Sequence, residues 1–305
     1  MRFNTHLTRG AMLTVVAIAA ATTLAGCASG GGSDEIVIRV AMGSSGDAVD
    51  KGFDVLKKEY EAKYPGRKVE IIIQEDDVYQ TTGLPTLLTS REAPDAYFEW
   101  SGPRMRGHVA DGDGADISTE LAGDLFAGRF DENAFNNMDI YMVPWTGDVT
   151  NVIWYDVDAF DDLGIGVPTT WDEYLAANQT ILDAGKLPMV EGNKDQWPVG
   201  SIASHVVSRM IGEQQYSDVM DGLAPMNSPE MVGAFAKLAE LTPFVNASIN
   251  ALADDEAMTQ FFLQKAVTHQ IGSWLMADAV ENAGELNFDY FNMPAFTDGK
   301  GDQAS

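Results

Sequence analysis

The sequence predicts an α/β chain of two lobes, each a sheet flanked by helices, with a hinge between them. Three observations lead there. Short β-branched runs alternate with stretches of helical periodicity from Ile36 to Pro294. The first strand, helix and strand follow in the order that a right-handed crossover joins into a parallel pair. The length after residue 26, in a chain that is 45% hydrophobic, suits two moderate cores, and Pro144 between two strand-like runs marks a crossing between them. The division expected is 35–144 for lobe 1, 145–266 for lobe 2, and 267–305 returning to lobe 1, with hinge crossings near Pro144 and Val267.

Taken in order, Ile36 to Ala41 alternates as a strand and leaves through Gly43, Ser44, Ser45 and Gly46. Phe53, Leu56, Tyr60 and Tyr64 then recur at helical spacing until Pro65 and Gly66 stop them. Val69 to Ile73 reads as a second, buried strand. A weaker helix over Tyr79 to Thr89 is interrupted by Gly83 and Pro85, and Ala96 to Phe98 is a short third strand. After the turn from Asp111 to Asp116 come Tyr141 to Pro144 and a β-rich run, Val149 to Tyr155. Thr170 and Glu173 form a capping box for a helix that carries Leu175, Ile181 and Leu182 on one face, with Trp171 and Tyr174 packing alongside, and ends at Gly185. Ser228 and Pro229 open a helix with Met231, Phe235 and Leu238 on one side. Asp254 to Lys265 is helical, Val267 to Ile271 is a strand, Gly272 to Trp274 a turn, Leu275 to Ala283 a helix, and Phe288 to Pro294 a returning strand.

The N-terminus has its own logic. Arg2 and Arg9 precede an apolar run, Ala11 to Ala21, and two small residues, Ala25 and Gly26, precede Cys27, the only cysteine. That is the layout of an export signal, too short to be a spanning helix. It resembles the lipobox of bacterial lipoproteins, which implies cleavage after residue 26, acylation of Cys27, and residues 27–34 as a flexible tether. Without residues 1–26 the formal charge moves from −27 to about −29, 17 basic against 46 acidic. A surface this acidic argues against nucleic acid as a partner.

The ordered segments together resemble the extracellular solute-binding proteins of bacterial ABC importers, the carbohydrate-handling group in particular. Ala93 to Phe98 is similar to that family's Pro-Asp strand entry. Tyr141 to Pro144 with Ile153 to Asp156 and Phe160 to Gly164 resembles its lobe crossing, Thr169 to Tyr174 its Thr-Trp-Asp-Glu helix start, and Gly272 to Trp274 its Gly-x-Trp turn. The resemblance implies the periplasmic-binding-protein-like fold. It also implies sugar capture for delivery to membrane permease subunits, a lipid-anchored place on the extracytoplasmic face of the cell membrane, and a monomer without cofactor or catalysis. Family members continue past the returning strand into a final helical segment, so a chain ending at Ser305 is expected to be truncated at its C-terminus.

A sugar presents C–H faces and a rim of hydroxyls, so its site needs flat indoles with carboxylates and amides at their edges. Trp100 follows the third strand in a polar loop, and Trp274 follows a later strand beside Ser273. Trp145 and Trp197 are further platforms. Asp76, next to Asp77, and Glu75 follow the second strand, Ser44 the first, and Asp148 lies three residues past Trp145. Arg104 could hold a hydroxyl or pair with a carboxylate. Asp111, Asp113 and Asp116 fail the calcium-loop pattern, since Ala115 and Ala122 occupy ligand positions, and His108, His205 and His269 have no zinc spacing. Nucleophile elbow, P-loop and dinucleotide glycine patterns are missing. The readings left beside sugar capture are a secreted glycoside hydrolase using a carboxylate pair and a binding protein for a non-sugar solute.

Overall fold

The computed structural model describes residues 35–44, 46–117, 119, 141–143, 147–297 and 299–300. Strand β1 (Ile36–Gly43) lies at the centre of a three-stranded parallel sheet, between β2 (Arg67–Gln74) and β3 (Ala96–Tyr97). Its C-terminal end is the buried part, with Ala41 and Met42 enclosed. The expectation that Val69 to Ile73 forms a buried strand is corrected: β2 is an edge strand whose residues are half-buried or exposed. Helix α1 (Asp47–Lys63) makes the crossover, yet the face predicted to be buried leaves Leu56 and Tyr64 exposed. Tyr64 works at the surface instead, with the Arg67 guanidinium 5.2 Å and the Lys63 ammonium 5.3 Å from its ring centre.

The interrupted helix expected over Tyr79 to Thr89 resolves into α2 (Asp76–Val78), a π-helical turn over Tyr79–Gly83, and α3 (Leu84–Leu88). At Gly83 a Cβ would meet the side-chain amide of Gln74. The widened turn buries Tyr79, whose hydroxyl donates to Ala41 O (3.1 Å) and Phe98 O (2.8 Å). These bonds tie the helical segment to the ends of β1 and β3. Helix α4 (Pro103–Asp111), which the sequence did not announce, follows β3.

The second sheet is antiparallel, with β4 (Val152–Asp156) between β5 (Thr268–His269) and β6 (Phe288–Asn292). All five residues of β4 are buried. The segment 267–305 was expected to return to lobe 1, with a hinge crossing near Val267, and this is corrected. Both later strands pair with β4, and Val267 itself accepts from Asp156 N–H (2.9 Å) and donates to Leu187 O (3.0 Å) inside the second core. A strand buried on both faces needs a partner along each edge, and β5 and β6 supply them. Pro144, the other expected crossing, lies outside the described residues, as do Cys27 and the signal and tether segments.

One face of β4 and β6 presents Ile153, Tyr155 and Phe291 to α6 (Trp171–Asp183) and α7 (Trp197–Ile211), through Trp171, Tyr174, Ile181, Ile202 and Val206. The capping box on α6 is present as read, whereas Leu182 turns outward. The opposite face packs Val152 and Trp154 against Ala257 and Phe261 of α10 (Asp254–Phe262) and Leu275 of α11 (Leu275–Asn282). Two further helices the sequence left unread, α5 (Val157–Leu163) and α8 (Glu213–Met220), fill the connections. Helix α9 (Pro229–Ala239) is capped by Ser228 as predicted, but buries Ala234 beside Met231 and leaves Phe235 exposed.

Candidate ligand-binding site

Parallel strands β1, β2 and β3 end at one edge of their sheet, which gathers the loops that follow them. Ser44 builds its own loop there, its Oγ donating to Asp50 Oδ2 (2.7 Å) and accepting from Gly46 N–H (3.3 Å). Glu75 caps α2, taking the N–H groups of Asp77 (3.2 Å) and Val78 (3.0 Å). Asp76 tucks behind Gly43, where a Cβ would run into its carboxylate, and receives Gln80 Nε2 at 3.5 Å. Arg104 donates from α4 to Gln80 Oε1 (2.6 Å), so Gln80 links the two charged residues. Trp100 is 45% exposed, edge-on to Phe98 with ring centres 5.1 Å apart. Its backbone N–H donates to Glu99 Oε1 (2.7 Å), and the other Glu99 oxygen lies 3.0 Å from His108 Nε2. The sequence offered no reason to single out Glu99, a nearly buried acid in a loop.

The antiparallel register of β4 and β5 brings two distant loops together at the other sheet. Ser273 N–H donates to Val149 O (2.8 Å), and Ser273 Oγ donates to Asp148 Oδ1 (3.1 Å) while accepting from Val149 N–H (3.2 Å). Asp148 and Ser273 therefore brace one another. The indole of Trp274 lies across the backbone of Gly272, where a Cβ would collide with the ring, and meets Trp197 with centroids 5.8 Å apart and planes tilted by 56°. Trp197 keeps 38% of its surface exposed. Trp145 is outside the described residues.

Electrostatics join the two halves. Burial raises the Asp77 carboxyl first, and the charges of Asp195, Glu75, Asp76 and Asp255 raise it further. Asp195 sits two residues before Trp197 and Asp255 lies in the first turn of α10, so the charges of two acids of the second half reach one of the first. Burial likewise raises Asp76. Behind Asp255, Asp254 is pushed up to about 7, by burial and then by Glu191, Asp255 and Asp195, with His269 opposing. Surface cavities include one away from these loops and one that adjoins them. One of about 610 Å³ is bounded by Gly212, Glu213 and Lys300, and one of about 410 Å³ by Trp154, Met276 and Tyr290, with Ser273 at its rim. Trp100, Trp197 and Trp274 line neither; they form open platforms. Among the described residues no three His, Cys, Asp or Glu side chains are arranged to hold a metal ion.

The family described as bacterial extracellular solute-binding protein matches residues 43–305. The chain belongs to that family. A relative in Pyrococcus horikoshii, an uncharacterized ABC transporter extracellular-binding protein, is 23% identical over 251 residues, 80% of this chain and 57% of its own. This solute-binding chain thus spans little more than half of that relative's length. A solved structure from work on xylan utilization by Caldanaerobius polysaccharolyticus superposes with a TM-score of 0.77 at 23% identity, covering 88% of this chain and 70% of the other. A chitin oligosaccharide binding protein gives 0.75 at 20% identity, covering 86% and 68%. The fold is the two-domain one of periplasmic solute-binding proteins.

One ion pair bridges the halves of this solute-binding fold. Arg106 of α4 lies 3.1 Å from Asp221 at the end of α8, both partly exposed. A pair of this exposure is worth under about 1 kcal/mol. Where ligand capture holds the halves in this arrangement, Arg106→Ala or Asp221→Ala is expected to weaken ligand affinity by up to about threefold at low salt. Exchanging the two residues restores it. Calorimetric titration of the four proteins checks this, and an effect that persists in 1 M salt would contradict it.

Proposed function

We propose that the chain is the substrate-binding lipoprotein of an ABC importer. It captures a carbohydrate, mono- or oligosaccharide, between its two lobes and delivers it to membrane permease subunits with its bonds intact. The observation that carries this reading is the Trp197–Trp274 pair, two partly exposed indoles, with Asp195 O accepting from Trp197 N–H. Indoles suit the C–H faces of a pyranose, and carboxylates accept from its hydroxyls. Ligand contacts made only when the halves approach would drive closure, the mode by which periplasmic binding proteins serve as a general example of hinge motion. Family membership and the chitin-oligosaccharide-binding neighbour support the same ligand class.

In this reading Cys27 carries the lipid that holds a monomer at the extracytoplasmic face. Multiple acyl chains make such an anchor durable. The facing acids Asp77, Asp195 and Asp255 also favour a second ligand class, a cationic solute such as a polyamine, since a positive charge would relieve their mutual repulsion. A thermal-shift screen of the protein from Cys27 onward, against sugars and polyamines, separates the two. Ligand at about 100 times its Kd stabilises by roughly 2.7 kcal/mol, a shift of several degrees. The carbohydrate reading expects that shift with at least one oligosaccharide, and a shift with polyamines alone would replace it.

A further inference from the structure

The turn that carries Trp274 hangs from a buried carboxylate. Glu191 is fully buried, and its Oε1 accepts from the backbone N–H of Gln270 (2.8 Å), the residue just after β5. Its Oε2 lies 3.5 Å from His269 Nδ1, a nitrogen that also meets Val190 O at 2.8 Å. The Glu191 backbone is fixed in turn, donating its N–H to Asn246 Oδ1 (2.7 Å). Further along the turn, Trp154 Nε1–H donates to Ile271 O (2.9 Å) and Ser273 N–H to Val149 O (2.8 Å). The segment 270–273 is therefore tied at its start, middle and end, and only the first tie is a charge-assisted bond in an enclosed place.

We propose that Glu191 is a positioning residue for ligand capture, fixing the start of the turn so that the Trp274 indole is held against Trp197. The inference rests on the reading of Trp274 as a ligand platform. A buried N–H that loses its only acceptor bears the full desolvation cost, so the backbone at Gln270 rotates to find another partner. The ties at Ile271 and Ser273 remain, so the turn pivots about them and Trp274, four residues on, shifts relative to Trp197. Glutamine at 191 keeps a carbonyl oxygen where Oε1 stands, whereas alanine removes the acceptor and aspartate falls short by a methylene.

The test reads the turn twice. The first readout is the exciton circular-dichroism couplet of the two indoles in the ligand-free protein, identified as the signal that Trp197→Phe abolishes. The second is calorimetric titration with the sugar that stabilises the wild type. Glu191→Gln is expected to keep the couplet and to bind within about threefold of wild type, while Glu191→Ala loses the couplet and at least about tenfold in affinity. Where the alanine variant does not fold, Glu191→Asp carries the same expectation. A couplet and affinity unchanged in the alanine or aspartate variant would overturn the assignment. So would a glutamine variant as impaired as alanine. Loss of the couplet in the alanine variant of a protein whose wild type binds no sugar would support the positioning of the turn and sink the ligand reading, which keeps the two apart.

Discussion

Replacing Trp274 by alanine is expected to lower sugar affinity by about 30- to 100-fold while the protein stays folded. The magnitude follows from area. An indole face that covers a pyranose removes on the order of 100 Å² of apolar surface from water, worth roughly 2.5 kcal/mol. Trp274 packs against the edge of the second core without being one of its enclosed residues. Its removal should therefore cost about 1 kcal/mol of stability, small against a domain's total. The Trp197 ring, 5.8 Å away, remains as a lone platform, so residual binding is expected. Calorimetric titration and a melting curve on the same sample check both halves of the expectation. Unchanged affinity would remove Trp274 from the site, and loss of the cooperative melt would show that it is a core residue.

The second large effect concerns pH. Asp254 is held at about 7 against an ordinary 3.8, chiefly by burial and then by the negative charges of Glu191, Asp255 and Asp195. A carboxyl whose folded value is raised contributes its stability fully below its unfolded value of about 4 and loses it as pH climbs through the folded one. Each unit between the two costs up to about 1.4 kcal/mol, and partial exposure with adjustment of the neighbouring charges brings the whole to about 2 kcal/mol. Asp254→Asn stays neutral throughout. The variant should match wild type near pH 4 and exceed it at pH 8 by about 2 kcal/mol, a melting temperature roughly 4–8 °C higher. His205, partly buried and lowered to about 4, opposes acidification, but it does so equally in both proteins and cancels from the comparison. A difference between them that does not vary with pH would mean that Asp254 ionises freely.

The sequence made local signals plain and tertiary ones obscure. The capping box at Thr170 and Glu173, the Ser228 cap and the β-branched run of β1 are self-contained patterns that appear where they were read, and the run read over Val149 to Tyr155 holds β4 from Val152 onward. Helix α7 was missed because it begins with Trp197 and Pro198 after Gln196 in a left-handed conformation, without a side-chain cap to announce it. The return of 267–305 to the wrong lobe came from following sequence order, whereas the burial of β4 demanded both neighbours from that segment. At the site, indoles in loops after strands could be picked out, and Trp197 and Trp274 do meet. Ser44, Glu75 and Arg104 looked equally available, yet each already bonds a neighbour within its own half. Asp195 might have been weighed for lying two residues before Trp197. Glu191 and His269 carry no such mark, because their pairing spans residues far apart in the chain and depends on a parallel bridge between Met189 and Thr268.

The account turns on capture without chemistry, and one measurement reaches that directly. The protein, at a concentration above its Kd, is incubated with the oligosaccharide that stabilises it most, and the mixture is assayed at intervals for bound sugar and for new reducing ends. One equivalent of sugar recovered intact, with no growth in reducing ends over many hours, is the result expected. Reducing ends that accumulate beyond one per protein would mean that a carboxylate pair cleaves the glycan, and the binding account would give way to hydrolysis.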